Sequence, residues 1–197
     1  MYLVFVLATA LGLGMRHATD ADHVLAVSTI ASRERSIWRA SLIGMWWGAG
    51  HMTTILLFGG AIVAFKVVLP PRVNTAFELC VALMLIVLGV RSLLTAYQPR
   101  TRARPVSPFA VGVVHGLAGS AAAALLILPL IQNPMWAVLY LLVFGLGTIG
   151  GMATLTWAIA GSTMYATQRV RGLDRWIILG AGTMSLCFGA LLLYRIA

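Results

Sequence analysis

Apolar residues run along this chain in long uninterrupted stretches, without the two-residue alternation of a half-buried strand or the one-sided stripe of a surface helix. Short polar or basic breaks separate them. A helix needs about 20 apolar residues to cross the hydrocarbon of a bilayer. On that measure the stretches predict six membrane segments: Tyr2 to Ile30, Ile37 to Phe65, Val73 to Ala96, Phe109 to Ile131, a fifth from the Asn133-Pro134 turn to near Ala160, and Trp176 to Ile196. The expected fold is an all-α integral membrane protein with six transmembrane helices, and residues 1–197 form a single transmembrane domain. Segment one is longer than a span requires, so it must tilt, protrude or break.

The breaks carry the orientation. Arg33, Arg35, Arg39, Arg100, Arg102, Arg104, Arg169, Arg171 and Arg175 fall in the first, third and fifth connections, against Lys66, Arg72 and Arg195 on the other side. The positive-inside bias then puts the odd connections in the cytoplasm of a cell (inner) membrane protein, with both termini outside, on the periplasmic side. Ala8-Thr9-Ala10 has the form of a cleavage site, but no basic stretch precedes it, so the first segment is expected to be retained.

The two halves, about 1–97 and 108–197, flank a basic, proline-containing linker at 98–108 and echo each other. Gly14-x-x-His17 recurs as Gly112-x-x-His115, Gly48-x-Gly50 as Gly145-x-Gly147, and Met84 and Gly89 as Met184 and Gly189, at offsets of 97 to 100. Three spans per half make the second half enter from the opposite face. The expectation is a 3+3 inverted repeat, an arrangement common among secondary transporters.

Composition agrees with the pattern: 60% of the 197 residues are hydrophobic, 10% are charged and the mean hydropathy is +0.94. A net charge of +9 would fit a nucleic-acid partner if it lay on one soluble face, but it is scattered over short connections, so nucleic acid is excluded and the bilayer is the expected surroundings. Cys80 and Cys187 stand alone in apolar stretches, which predicts buried thiols and no redox pair.

Against this background one stretch stands out. His17, Asp20, Asp22 and His23 interrupt segment one, and burying a carboxylate at membrane depth costs about 2.5 to 3.5 kcal/mol on insertion scales. All four histidines of the chain, His17, His23, His51 and His115, lie in predicted membrane segments. Imidazole with carboxylate favours a first-row divalent metal over magnesium or calcium. On a regular helix His17 and His23 are about 9 Å apart in rise and Asp22 faces away. One compact site therefore requires a broken segment one; otherwise the residues form two successive stations, or Asp20 orients an imidazole without touching the ion. Arg16 either balances Asp20 or snorkels, and Trp46 and Trp47, just before His51, are candidates for closing a pathway.

His17-x4-Asp22-His23, preceded by Arg16 and followed by Val24, resembles the H-x4-D-H signature of the nickel/cobalt transporter superfamily. Trp47-Gly-Ala-Gly-His51-Met-Thr-Thr54 is similar to its second motif. The resemblance implies Ni²⁺ or Co²⁺ as a transported ligand, none permanently bound, with His17, Asp22, His23 and His51 as metal-site positions. It leaves Asp20, His115 and Arg16 as further metal or supporting positions. Uptake-type members have eight spans and two more carboxylate-bearing motifs, whereas Gly112 to Ala121 and the residues after Gly151-Met152 lack acids here. That places the chain nearer the short UreH-type branch.

The function expected is a secondary transporter, a permease moving nickel or cobalt by alternating access, and not an enzyme. The alternatives are a non-transporting membrane protein that delivers metal, or an intramembrane metalloenzyme, which H-x4-D-H fits poorly because it lacks the H-E-x-x-H spacing. No P-loop is present, so a proton gradient is the expected drive. A homo-oligomer and an accessory protein partner are both compatible with the sequence.

Overall fold

The structure, a computed structural model, describes residues 2–65, 70–98, 106–117, 131 and 133–196. Among them the chain is helical throughout: α1 (Tyr2–His17), α2 (Ala21–Ala31), α3 (Ile37–Phe65), α4 (Pro71–Thr95), α5 (Pro108–Leu117), α6 (Pro134–Arg169) and α7 (Leu173–Ile196). Among the described residues three helices, α4, α6 and α7, are long and apolar enough to cross a membrane. In their most apolar stretches only 33%, 44% and 22% of residues are buried, so most of this apolar surface faces outward. A soluble protein does not expose contiguous apolar surface on that scale. This is the exterior of a membrane protein.

Local chemistry sets where the helices start. Pro71, Pro108 and Pro134 each open a helix, at the position where a missing N–H costs nothing. Asn133 caps α6 by accepting a hydrogen bond from the Met135 N–H at 2.9 Å. The expected second segment coincides with α3. The fifth runs on to Arg169, well past the expected end near Ala160, because nothing between Gly161 and Arg169 breaks a helix even though the sequence turns polar. Of the fourth segment the structure describes Pro108–Leu117; residues 118–130 lie outside the described residues, as does most of the 98–108 linker.

Segment one breaks after His17, and α2 begins at Ala21. The cysteines depart from expectation: Cys80 and Cys187 are exposed. Their helices turn apolar faces outward, so an apolar neighbourhood in sequence did not mean burial.

Close packing comes from glycine. α3 lies along α6, α1 against α6, α5 against α3, and α4 along α7. A methyl group at Gly14 would strike the Phe144 carbonyl and come within 2.9 Å of the Thr148 nitrogen; one at Gly112 would strike the Trp47 carbonyl and come within 2.9 Å of the His51 nitrogen. Likewise Gly147 meets the Leu11 carbonyl and Gly50 the Phe109 carbonyl. Between α4 and α7, Gly89 meets Gly182 and Leu186, and Gly189 meets Ala82 and Ile86. Two buried hydroxyls fasten this last pair, Ser92 donating to the Ile178 carbonyl (3.1 Å) and Ser185 to the Leu85 carbonyl (2.9 Å).

Adjacent glycines on α6 give a direct comparison. A methyl on Gly151 would lie 2.7 Å from Ala18 Cβ, whereas one on Gly150, on an exposed face, meets nothing within 4 Å among the described residues. Gly151→Ala is expected to destabilise the protein by about 1 to 3 kcal/mol through overpacking, and Gly150→Ala to be neutral or stabilising by up to about 1 kcal/mol. Thermal unfolding in detergent measures both; equal melting temperatures would contradict the packing described.

Candidate metal centre

The centre begins at the break between α1 and α2. The Thr19 and Asp20 N–H groups bond back to the Arg16 and His17 carbonyls (2.8 and 3.1 Å), a tight turn that ends α1. The Thr19 hydroxyl donates to the same Arg16 carbonyl at 2.6 Å. Asp20 is extended (φ −61°, ψ 148°) at the N-cap of α2, yet its carboxylate makes no cap bond. It turns to His17 instead, with Oδ2 2.9 Å from Nδ1. Breaking the helix brings His17 and His23 to a ring-centroid separation of 4.6 Å, which the rise of a straight helix forbids.

Three other helices complete the cluster. His23 enters from α2, His51 from α3 and His115 from α5, each fully buried, and His17 is 6% exposed. His17 Nε2 lies 2.9 Å from His51 Nε2. Asp22 uses both oxygens, Oδ1 at 3.1 Å from His23 Nδ1 and Oδ2 at 2.9 Å from His115 Nε2. The rings of His23 and His115 are 4.1 Å apart. His23 Nε2, His51 Nδ1 and His115 Nδ1 are buried without a hydrogen-bond partner among the described residues.

These contacts decide which nitrogens face inward. An imidazole whose Nδ1–H is given to a carboxylate presents the lone pair of Nε2, so Asp20 aims His17 and Asp22 aims His23. Two triplets result, His17 with His23 and His51, and Asp22 with His23 and His115; within each, ligand atoms lie within 4.8 Å of one another. Cis ligands bound at about 2.1 Å stand about 3.0 Å apart at a right angle and about 3.4 Å apart at the tetrahedral angle. The His17–His51 nitrogen pair already has nearly that spacing. A contact this short between two ring nitrogens is a hydrogen bond with one of them as donor, and a divalent ion between them would take the place of that proton.

Apolar packing holds the rings in place. Trp47, fully buried, stacks on His23 at 5.9 Å and 16° and meets His115 edge-on at 5.7 Å. Phe144 of α6 lies 5.7 Å from His17. On the Trp47 side lie Val27, Leu85 and Met152; on the Phe144 side lie Ala10, Ile55 and Tyr140.

All four principal expected residues, His17, Asp22, His23 and His51, thus meet, together with Asp20 and His115. Arg16 does not join them; its position is exposed at the end of α1. Trp46 is also exposed, at 59%, and only Trp47 reaches the cluster. His115 stands level with the others, and the sequence signal for it was the Gly14-x-x-His17 echo at Gly112-x-x-His115. Nothing in the sequence marked Phe144.

Asp20 provides a test confined to orientation, since its side chain is 46% exposed and its imidazole partner is not. Asp20→Asn keeps the shape and removes the charged acceptor, and metal affinity is expected to fall about 10- to 100-fold. Equilibrium dialysis with Ni²⁺ measures it, and unchanged affinity would remove Asp20 from the centre.

No protein-family model matches the chain, and no solved structure matches it. Among curated proteins it is 32% identical over 77 residues to a high-affinity nickel transport protein of Cupriavidus necator, a match covering 37% of this chain and 22% of that protein. It is 30% identical to the urease accessory protein UreH of Bacillus sp. (strain TB-90) over 98% of this chain and 92% of that one. Identity sustained end to end, with the H-x4-D-H residues gathered in one buried cluster, agrees with the resemblance read from the motif. The chain belongs to the nickel/cobalt transporter superfamily, on its UreH-type branch.

Proposed function

We propose that the protein carries a divalent transition-metal ion, nickel or cobalt, across the cell membrane by alternating access, and that the ion occupies the two triplets in turn. The observation that carries the reading is His23, which belongs to both. An ion held by His17, His23 and His51 can exchange His17 and His51 for Asp22 and His115 while keeping its bond to His23, so it is never released bare into the low-dielectric interior. Asp20, half exposed beside the almost buried His17, marks one approach. The broken helix also fits, since discontinuous helices form the sites of many secondary transporters.

The single transmembrane domain would comprise six spans: α1 with α2, α3, α4, the segment opening with α5, α6 and α7. The reciprocal glycine contacts support a 3+3 inverted repeat. Contacts of Gly14 with 144 and 148 map onto contacts of Gly112 with 47 and 51, and those of Gly89 with 182 and 186 map onto those of Gly189 with 82 and 86. In this arrangement His115 is the counterpart of His17, Thr148 of His51, and the termini lie outside.

Flux of ⁶³Ni²⁺ and ⁵⁷Co²⁺ into proteoliposomes tests the reading. His51→Ala and His115→Ala are each expected to stop flux while leaving one triplet able to bind metal at equilibrium. The name of the UreH relative supports a second reading, a membrane protein that binds nickel for a urease-maturation partner without transporting it. Metal binding with no flux in the folded wild type would favour that reading.

A further inference from the structure

A cavity of about 630 Å³ opens at one end of the bundle, away from the histidines, where the α2–α3 turn, the end of α4 and the α6–α7 turn come together. Its lining includes Arg33, Arg35 and Arg175 against a single carboxylate, Asp174, with Tyr97 and Trp176 at its sides. The volume falls in the range that holds a small molecule. Arg175 lies 4.7 Å over the Tyr97 ring, which fixes the direction of its guanidinium.

We propose that this cavity binds the phosphodiester headgroup of an anionic phospholipid. Guanidinium forks match phosphate oxygens in pairs, and the arginines outnumber the carboxylate. The surroundings favour lipid over free phosphate. Tyr97 and Trp176 are 68% and 71% exposed, as aromatic residues are at headgroup depth. Leu94, on the last turn of α4 two residues before the lining residue Ala96, is 70% exposed and belongs to the apolar exterior along which acyl chains would lie. A basic pocket between membrane helices beside such a belt has the make-up of a headgroup site. Ile178 and Leu179 add apolar lining that an acidic peptide would not need.

The test uses the whole purified protein, stripped of lipid and returned to nanodiscs of phosphatidylcholine containing graded phosphatidylglycerol, with retained lipid counted by native mass spectrometry. Phosphatidylglycerol is expected to be retained in preference to phosphatidylcholine. Arg35→Gln with Arg175→Gln is expected to weaken its retention roughly 25-fold, about fivefold for each arginine near the surface. Arg35→Lys with Arg175→Lys, melting like the wild type, should fall between the two, keeping the charges but not the paired guanidinium geometry. Equal retention of the two lipids, or of phosphatidylglycerol by wild type and the glutamine variant, overturns the proposal. So does displacement by millimolar inorganic phosphate, which would assign the site to the free anion, or by a polyglutamate peptide, which would assign it to an acidic protein segment.

Discussion

His23→Ala is expected to remove metal binding at both triplets and to reduce ⁶³Ni²⁺ flux to that of protein-free liposomes. His23 belongs to each triplet, it is fully buried, and its Nε2 has no other partner among the described residues. Four ligands in structural zinc sites together supply about 10 to 16 kcal/mol. One ligand then contributes about 2.5 to 4 kcal/mol, or roughly 10² to 10³ in affinity. His17→Ala and His115→Ala should each forfeit this at one triplet, whereas His23→Ala forfeits it at both. Equilibrium dialysis beside flux, with circular dichroism to verify folding, separates the cases. Wild-type flux from a folded His23→Ala protein would dispose of the shared-ligand mechanism.

Gly112→Leu is expected to cost more than about 3 kcal/mol, at the upper end of overpacking effects, and to prevent accumulation of folded protein. The obstruction is backbone, the Trp47 carbonyl and the His51 nitrogen, and neither can rotate aside. Relieving it means lifting α5 from α3 and carrying His115, nearly one turn further on, away from Asp22. Gly14→Leu should behave alike at the α1–α6 contact, while Gly180→Leu, on the exposed face of α7 with nothing within 4 Å among the described residues, should be tolerated. Yield of monodisperse protein and its melting temperature are the readouts. A Gly112→Leu protein that melts with the wild type would show that the helices are not in contact there.

How far the sequence reached depends on which property each residue expressed. α3 was legible end to end because apolar length and helix length coincide there. α6 was read short because hydropathy reports where lipid contact weakens, and Ser162, Thr163 and Gln168 continue a helix without being apolar. The break in segment one was one of the alternatives the sequence left open, since a straight helix keeps His17 and His23 too far apart for one centre but not for two successive stations. The division of labour between the two aspartates was hidden. Asp22 does face away from His17, but toward His115, a residue 93 positions on that only the packing of α5 on α3 brings near. Trp47 looked like a gate beside Trp46; one helical position separates the exposed ring from the buried one that stacks on His23.

The pairing of Asp20 and Asp22 with the imidazoles has an electrical consequence. With its imidazoles neutral, as metal coordination requires, and its carboxylates as anions, the proposed centre would hold two negative charges for a divalent ion to balance. On the proposed mechanism the aspartates stay with the chain while the ion passes from one triplet to the other, so that transfer moves two positive charges through whatever share of the transmembrane field falls between the triplets, and flux should respond to voltage in the loaded state.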